Sequence, residues 1–210
     1  MKQILKITVA IMCVMLWQGC NTDEAEIDLT HTLIDGNKWT YYLKILPVNE
    51  THILIEEVRG DTIIEGVKYK KVYSYINDYE GIYNEAFEGC SYYREEGTKL
   101  YQYSSKDHGD VLAYNFGLKK NDKTTDCNSY GETATVKDVC RKKTQDGVKR
   151  KHLILNNTDT LVEGIGSLYS GLLVYQGPGC NKYGGFELHR LKQFESQGKV
   201  VYDTPLEGWK

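Results

Sequence analysis

Hydrophobic positions along this chain recur with a period of two, in short runs broken by Gly, Asn, Asp and Pro. Such alternation marks strands that bury one face and wet the other. Trp39 to Leu46 is aromatic and aliphatic until Pro47 and Asn49 break it. His52 to Arg59 carries Ile53, Ile55 and, less regularly, Val58, and Gly60-Asp61 is expected to turn the chain before Thr62 to Ile64. Glu65-Gly66 turns it again into Val67 to Ile76, where Val67, Tyr69, Tyr73 and Tyr75 share one parity that Lys71 interrupts. Tyr92-Tyr93-Arg94 and Lys99 to Tyr103 read as a hairpin with Glu95-Glu96-Gly97 in its turn, and Val111 to Leu118 follows. Asp146-Gly147 is the sharpest turn signal; it predicts a type I′ turn, which needs positive φ at both central residues, between Thr135–Lys143 and Val148–Leu155. Asn156-Asn157 leads into Thr160 to Ile165. Leu172 to Tyr175, Leu188 to Phe194 and Val200 to Tyr202 complete the series, the last two joined across Ser196-Gln197-Gly198.

No window carries an i, i+3, i+4, i+7 stripe over three turns. The best helical candidate, Tyr79 to Phe87, is short and contains Gly81. Many short strands with closely spaced turns predict an all-β chain, folded as a single antiparallel β-sandwich or barrel-like domain over residues 37–210. That length can bury a substantial core.

The first residues follow a different grammar. Lys2 and Lys6 precede an apolar stretch, Ile7 to Leu16, too short to cross a hydrocarbon core of about 30 Å as a helix. Gln18-Gly19-Cys20 ends it with a small residue directly before a cysteine, which is signal-peptide grammar. Here the chain resembles a Bacteroidota-type envelope lipoprotein. The resemblance implies that 1–19 is a signal peptide removed on export and that Cys20 is acylated through its sulfur. It also implies an outer-membrane, lipid-anchored location. The pattern departs from the family in one respect: Leu16 lies one position too far from the cysteine, and Trp17 takes the usual leucine place. An ordinary secretory signal with another cut site is the competing reading. Residues 20–36 are read as the lipidated N-terminus and a tether, since Asn21 to Glu26 is polar and acidic with no hydrophobic period. That acidic cluster resembles a surface-export signal of the same lipoproteins; a plain solvated spacer is the alternative.

A second resemblance rests on Gly60 to Tyr69, Tyr93 to Gly97, Tyr114 to Leu118 and Glu163 to Ser167, which look like a β-rich module of uncharacterised secreted proteins. It implies fold and carries no functional residue.

A formal charge of −3 gives no reason to expect nucleic acid as a partner. Seventeen Tyr against four Phe suits sheets with a wet face, because a tyrosine ring packs while its hydroxyl stays hydrated. With Cys13 lost and Cys20 acylated, Cys90, Cys127, Cys140 and Cys180 remain. An even number in an oxidising compartment suggests two disulfides. Three pairings are open and the sequence does not choose among them; Cys127–Cys140 with Cys90–Cys180 is our expectation. A metal site competes weakly, as no C-x-x-C or H-x-x-x-H spacing occurs.

Catalytic chemistry finds little support. His31, His52, His108, His152 and His189 stand at no ligand spacing, and His31 falls in or near the tether. Gly164-Ile165-Gly166-Ser167 is no nucleophile elbow; its glycines suit a tight bend near a strand end. Gly177-Pro178-Gly179 and Gly184-Gly185 precede no Lys-Ser/Thr helix, so they are no phosphate cradle. The adjacent carboxylates Glu56-Glu57 would point to opposite faces of a strand, unlike a glycosidase pair. The expectation is therefore a non-enzymatic lipoprotein that uses no cofactor and presents an interaction or structural domain to an envelope protein. The alternative is a carbohydrate-binding module that stacks sugar rings on exposed Trp39, Tyr73 and Tyr101. Asp61-Thr62-Ile63 and Asp159-Thr160-Leu161 resemble short O-glycosylation patterns at Thr62 and Thr160, and equally fit turn chemistry.

Overall fold

The structure is a computed structural model that describes residues 31–45, 50–78, 88–106, 109–127, 133–156, 159–169 and 187–204. Every element in those ranges is a strand or a connection between strands, and every pairing is antiparallel. The chain is all-β, as its period-two pattern predicts. The helical candidate at Tyr79 to Phe87 and the run at Leu172 to Tyr175 lie outside the described residues.

Six strands form a meander: β1 (Lys38–Ile45), β2 (Glu50–Ile64), β3 (Val67–Asp78), β4 (Glu88–Glu96), β5 (Lys99–Ser105) and β6 (Gly109–Asn115). A second group follows: β7 (Lys123–Cys127), β8 (Thr133–Lys143), β9 (Lys149–Leu155), β10 (Thr160–Val162) and β11 (Gly166–Ser167). The last two, β12 (Glu187–Ser196) and β13 (Lys199–Asp203), return to the meander beside β1. The result is an eight-stranded sheet ordered β13-β12-β1-β2-β3-β4-β5-β6 and a five-stranded sheet ordered β11-β10-β9-β8-β7.

The two sheets share one core. The large sheet contributes Trp39, Tyr41, Leu54, Val58, Val72, Tyr93, Leu100, Leu191 and Phe194; the small one contributes Val136, Leu153, Leu155, Leu161 and Val162. Hydrogen bonds tie them together, among them Trp39 Nε1 to Ile165 O (2.7 Å), Leu191 N to Leu168 O (2.8 Å) and Gln145 N to Val201 O (3.0 Å). Glu56 is buried in the same core, while Glu57 faces the other way and pairs with Arg59 at 2.6 Å, as strand alternation requires. Tyr41 is fully buried and, among the described residues, its hydroxyl has no hydrogen-bond partner. Burial, then the nearby Glu56 charge, pushes that phenol well above its ordinary pKa, so it stays neutral. Removing an unsatisfied buried hydroxyl relieves its desolvation cost. Tyr41→Phe should therefore gain about 1 kcal/mol and raise Tm by a few degrees; a lowered Tm on thermal melting would show the hydroxyl to be bonded.

Turn chemistry decides several details. Glu65 (φ 52°) and Gly66 (φ 83°) both take left-handed conformations, so the β2–β3 connection is a type I′ turn. The Asp146-Gly147 turn differs from expectation, because only Gly147 (φ 83°) is left-handed. Gly147 N donates to Thr144 O and Thr144 N to Val148 O, both at 2.9 Å, which makes a three-residue loop with glycine at its bulge. Gly60-Asp61 is likewise no turn. β2 runs through it with a register shift between Val58 and Asp61, and Gly60 (φ 69°) accommodates the bulge. Glu95 and Glu96 end β4, pairing with Leu100 and Lys99, so the turn itself is Gly97-Thr98.

The domain also begins earlier than residue 37. His31 Nδ1 lies 3.1 Å from Glu95 Oε2, Leu33 N donates to the other oxygen of that carboxylate at 3.3 Å, and both Thr32 and Leu33 are buried. The segment read as the end of a tether is thus bonded to the fold from His31 onward.

Candidate aromatic face and surface cleft

Strand alternation sorts the large sheet into two faces. Val72, Ser74, Leu54 and Glu56 point into the core. Their neighbours Tyr73, Tyr75, Ile55 and Glu57 occupy the opposite face, with Cys90 paired across from Tyr73, Tyr92 across from Lys71 and Tyr101 across from Arg94. Tyr73, Tyr75, Tyr92, Tyr101 and Tyr103 are half-buried there.

Two arginines organise these rings. The Arg94 guanidinium carbon sits 4.4 Å from the Tyr101 ring centroid, within cation–π range. Arg94 Nε donates to Asp110 Oδ2, and its Nη1 donates to Glu96 at 3.0 Å. The other oxygen of Asp110 accepts from the Tyr69 hydroxyl at 2.7 Å, and Tyr69 meets Tyr103 edge-on at 5.6 Å between centroids. Burial, together with the Asp110 carboxylate, pushes the Tyr69 phenol up to about 12. The group is therefore a neutral donor throughout the physiological range, and it fixes Asp110. Arg59 holds the second position: its guanidinium carbon is 5.0 Å from the Tyr75 centroid and 5.9 Å from that of Tyr73. Each planar fork is preset by a carboxylate, so little rotamer freedom remains to be lost on binding.

These positions correct the sugar-stacking expectation. Trp39 is fully buried, its ring 5.0 Å from that of Phe194 and its N–H spent on Ile165. It belongs to the core and offers no face to a sugar. Tyr73 and Tyr101 lie half-buried on the outer face, with guanidinium groups beside their rings. The sequence singled out neither arginine, nor Tyr69, nor Asp110. The parity of Arg94 with Tyr92 along β4 was the one local signal available.

A cleft of about 410 Å³ lies between the small sheet and β13. Its lining includes Lys142, Lys143, His152, Thr160, Tyr202 and Asp203. His152 Nδ1 donates to the Arg150 carbonyl at 3.0 Å, and burial holds the imidazole below its ordinary pKa. It is neutral at pH 7. Lys151, on the neighbouring parity, donates to the Phe116 and Leu118 carbonyls at 2.8 and 2.7 Å. Burial lowers its pKa, and its role is to close a loop end.

Cys90 and Cys140 are free thiols, so the pairings Cys90–Cys180 and Cys127–Cys140 are not formed in this structure. Cys90 sits on β4 in the large sheet and Cys140 on β8 in the small one. The Cys127 side chain and Cys180 lie outside the described residues. Partial desolvation holds the Cys90 thiol above its ordinary pKa, which keeps it protonated and a poor nucleophile. No cluster of three or more His, Cys, Asp or Glu able to hold a metal occurs among the described residues. Of the other histidines, His52 sits on β2; His108 and the His189 side chain lie outside the described residues. Ser167 Oγ donates to buried Asp159 Oδ2 at 2.7 Å, so this serine braces the bend, where Gly164 (φ 75°) and Gly166 (φ 101°) are left-handed. The same carboxylate takes the Thr160 N–H at 2.6 Å, and Thr160 is half-buried on β10. Thr62 is half-buried on β2, opposite Tyr69. No family model, curated protein or solved structure matches the chain.

Proposed function

We propose that this chain is a lipid-anchored envelope lipoprotein, without catalytic activity, whose sandwich presents the tyrosine–arginine face to a protein partner. The observation that carries the reading is the leader ending in Gly19-Cys20, with acidic, polar residues directly behind it. One acyl chain binds a bilayer only marginally, at about 0.8 kcal/mol per buried CH₂, and two or three chains make the anchor lasting. The outer face supports the interaction role. Tyr and Arg are the residue types enriched where binding energy concentrates, and here the guanidinium groups are already oriented. The same cations stand beside the rings of Tyr73 and Tyr101, and with Trp39 in the core this favours a protein surface over a sugar.

Replacing the acylated residue tests the anchor. Cys20→Ser should stop incorporation of labelled fatty acid and move the protein out of the membrane fraction. A variant that stays with the membrane, unlabelled, overturns the reading.

A further inference from the structure

Residues 31–36 lie at one particular end of the large sheet. His31 and Leu33 bond to Glu95 at the end of β4, Gly36 N donates to Val58 O at 2.9 Å, and Asp35 accepts from Gly60 N (2.8 Å) and Lys70 Nζ (2.9 Å). Beyond Gly60 the β2–β3 hairpin continues outward to its turn at Glu65-Gly66, about 15 Å at strand rise. Its tip leaves large apolar side chains in water: Ile63 is 74% exposed and Val67 41%. Across the hairpin Ile63 stands opposite Lys68 and Ile64 opposite Val67. The apolar groups therefore point to both faces of the ribbon, which a flat protein partner could cover on one side only. Asp61 pairs with Lys68 and Lys70, both at 2.6 Å, and Glu65 balances the remaining charge, so the tip is close to neutral.

Ten residues separate Cys20 from His31. Covalent geometry limits their span to about 40 Å. The opposite end of β2, at Glu50, lies about 30 Å further along the strand from Gly60. Only a nearly taut connection would bring that far end to the bilayer, whereas the hairpin tip lies on the same side as the chain's entrance.

We infer that the β2–β3 hairpin tip dips Ile63 and Val67 into the lipid–water interface, giving the anchored domain a second membrane contact. The inference rests on the anchor proposed above. Lys68 and Lys70 then lie at headgroup depth, with their aliphatic stems along the apolar residues.

The test uses the full-length lipidated protein reconstituted into phosphatidylcholine vesicles, with Ile63→Trp as reporter and Ser104→Trp, exposed at the other end of β5, as control. After subtraction of the parent emission, Trp at 63 should shift to the blue and be quenched by brominated phosphatidylcholine. Trp at 104 should do neither. Because tryptophan itself favours interfaces, the unsubstituted lipidated chain is measured as well. Amide exchange at 61–68 should slow on vesicles relative to the Cys20→Ser chain in solution. A protein that floats with the vesicles yet keeps position 63 in water, with unprotected amides, overturns the inference and leaves the anchor standing. A blue shift that ignores bromine and grows with protein density points to a second copy and also overturns it. A chain that fails to float with the vesicles removes the anchor, and the inference with it.

Discussion

Trp39→Ala should destabilise the fold by about 3–5 kcal/mol, the range for truncating a large aromatic in a packed core. Three losses combine. The fully buried ring leaves a void beside Phe194, whose centroid lies 5.0 Å away. The Ile165 carbonyl loses its 2.7 Å donor. That carbonyl belongs to the bend between β10 and β11, so the same substitution loosens the small sheet from the large one. Trp39→Phe separates the terms: it keeps most of the ring and strands the carbonyl, at about 1–3 kcal/mol. Urea denaturation followed by circular dichroism reads both variants. A loss below about 1 kcal/mol for the alanine variant would refute the role of Trp39 as the joint between the layers.

The second large effect lies in the β8–β9 hairpin. Arg150 is 3% exposed and grips the Asp146 carboxylate with two nitrogens, at 2.8 and 2.7 Å. The main chain of Asp146 is exposed at the turn, but its side chain folds inward to 17% exposure. Asp146→Asn keeps a turn-forming residue and strands a buried guanidinium. Breaking one side of a buried pair costs about 3–5 kcal/mol, and the partly open carboxylate lowers the expectation to about 2–4. The pH dependence follows from the sign of the pKa shift. Burial alone would raise the Asp146 carboxyl, but hydrogen bonds from Arg150 and Thr144, with the Arg150 charge, outweigh it and hold the group below its ordinary value. A depressed carboxyl contributes stability above its unfolded pKa of about 3.9 and loses it as pH falls through the folded value. The gap between parent and Asp146→Asn should therefore be constant from pH 7 down to about 5 and shrink below about pH 4. A gap independent of pH in denaturant melts would show that the two forks do not couple.

The period-two runs were enough to place most strands, because burial of one face needs only local alternation. β7 escaped notice because Lys123-Thr124-Thr125-Asp126-Cys127 has almost no apolar parity to detect. Gly60-Asp61 misled as a turn because a bulge demands the same left-handed glycine as a turn does, and only the long-range register of β3 tells the two apart. At Asp146-Gly147 the dipeptide named the site of reversal, while the loop length was decided by the Thr144–Val148 bond. Trp39 shows the limit most clearly. In Trp39-Thr40-Tyr41-Tyr42 both parities are aromatic, so the sequence does not say which faces inward. The structure places Trp39 and Tyr41 in the core and sets the Lys192 ammonium 5.6 Å from the Tyr42 ring centroid. The cation–ring pairs of the outer face were illegible for another reason: Arg94, Tyr101 and Asp110 come from three strands and meet only once the meander is built.

β1 lies between β2 and β12, and Lys38 pairs with both Glu57 and Glu195. One of its two edges is satisfied by the next strand to be made, the other by nearly the last. Such a non-local pairing delays completion of the sheet, since the closure entropy of a long loop must be met before the contact rewards it. A chain threaded outward from its N-terminus would emerge with β1 half-bonded and the Trp39 layer unsealed until β12 arrived. Late locking of this kind leaves the second edge of β1 open until nearly the whole chain is present, so the sheet closes as one of the last events of folding.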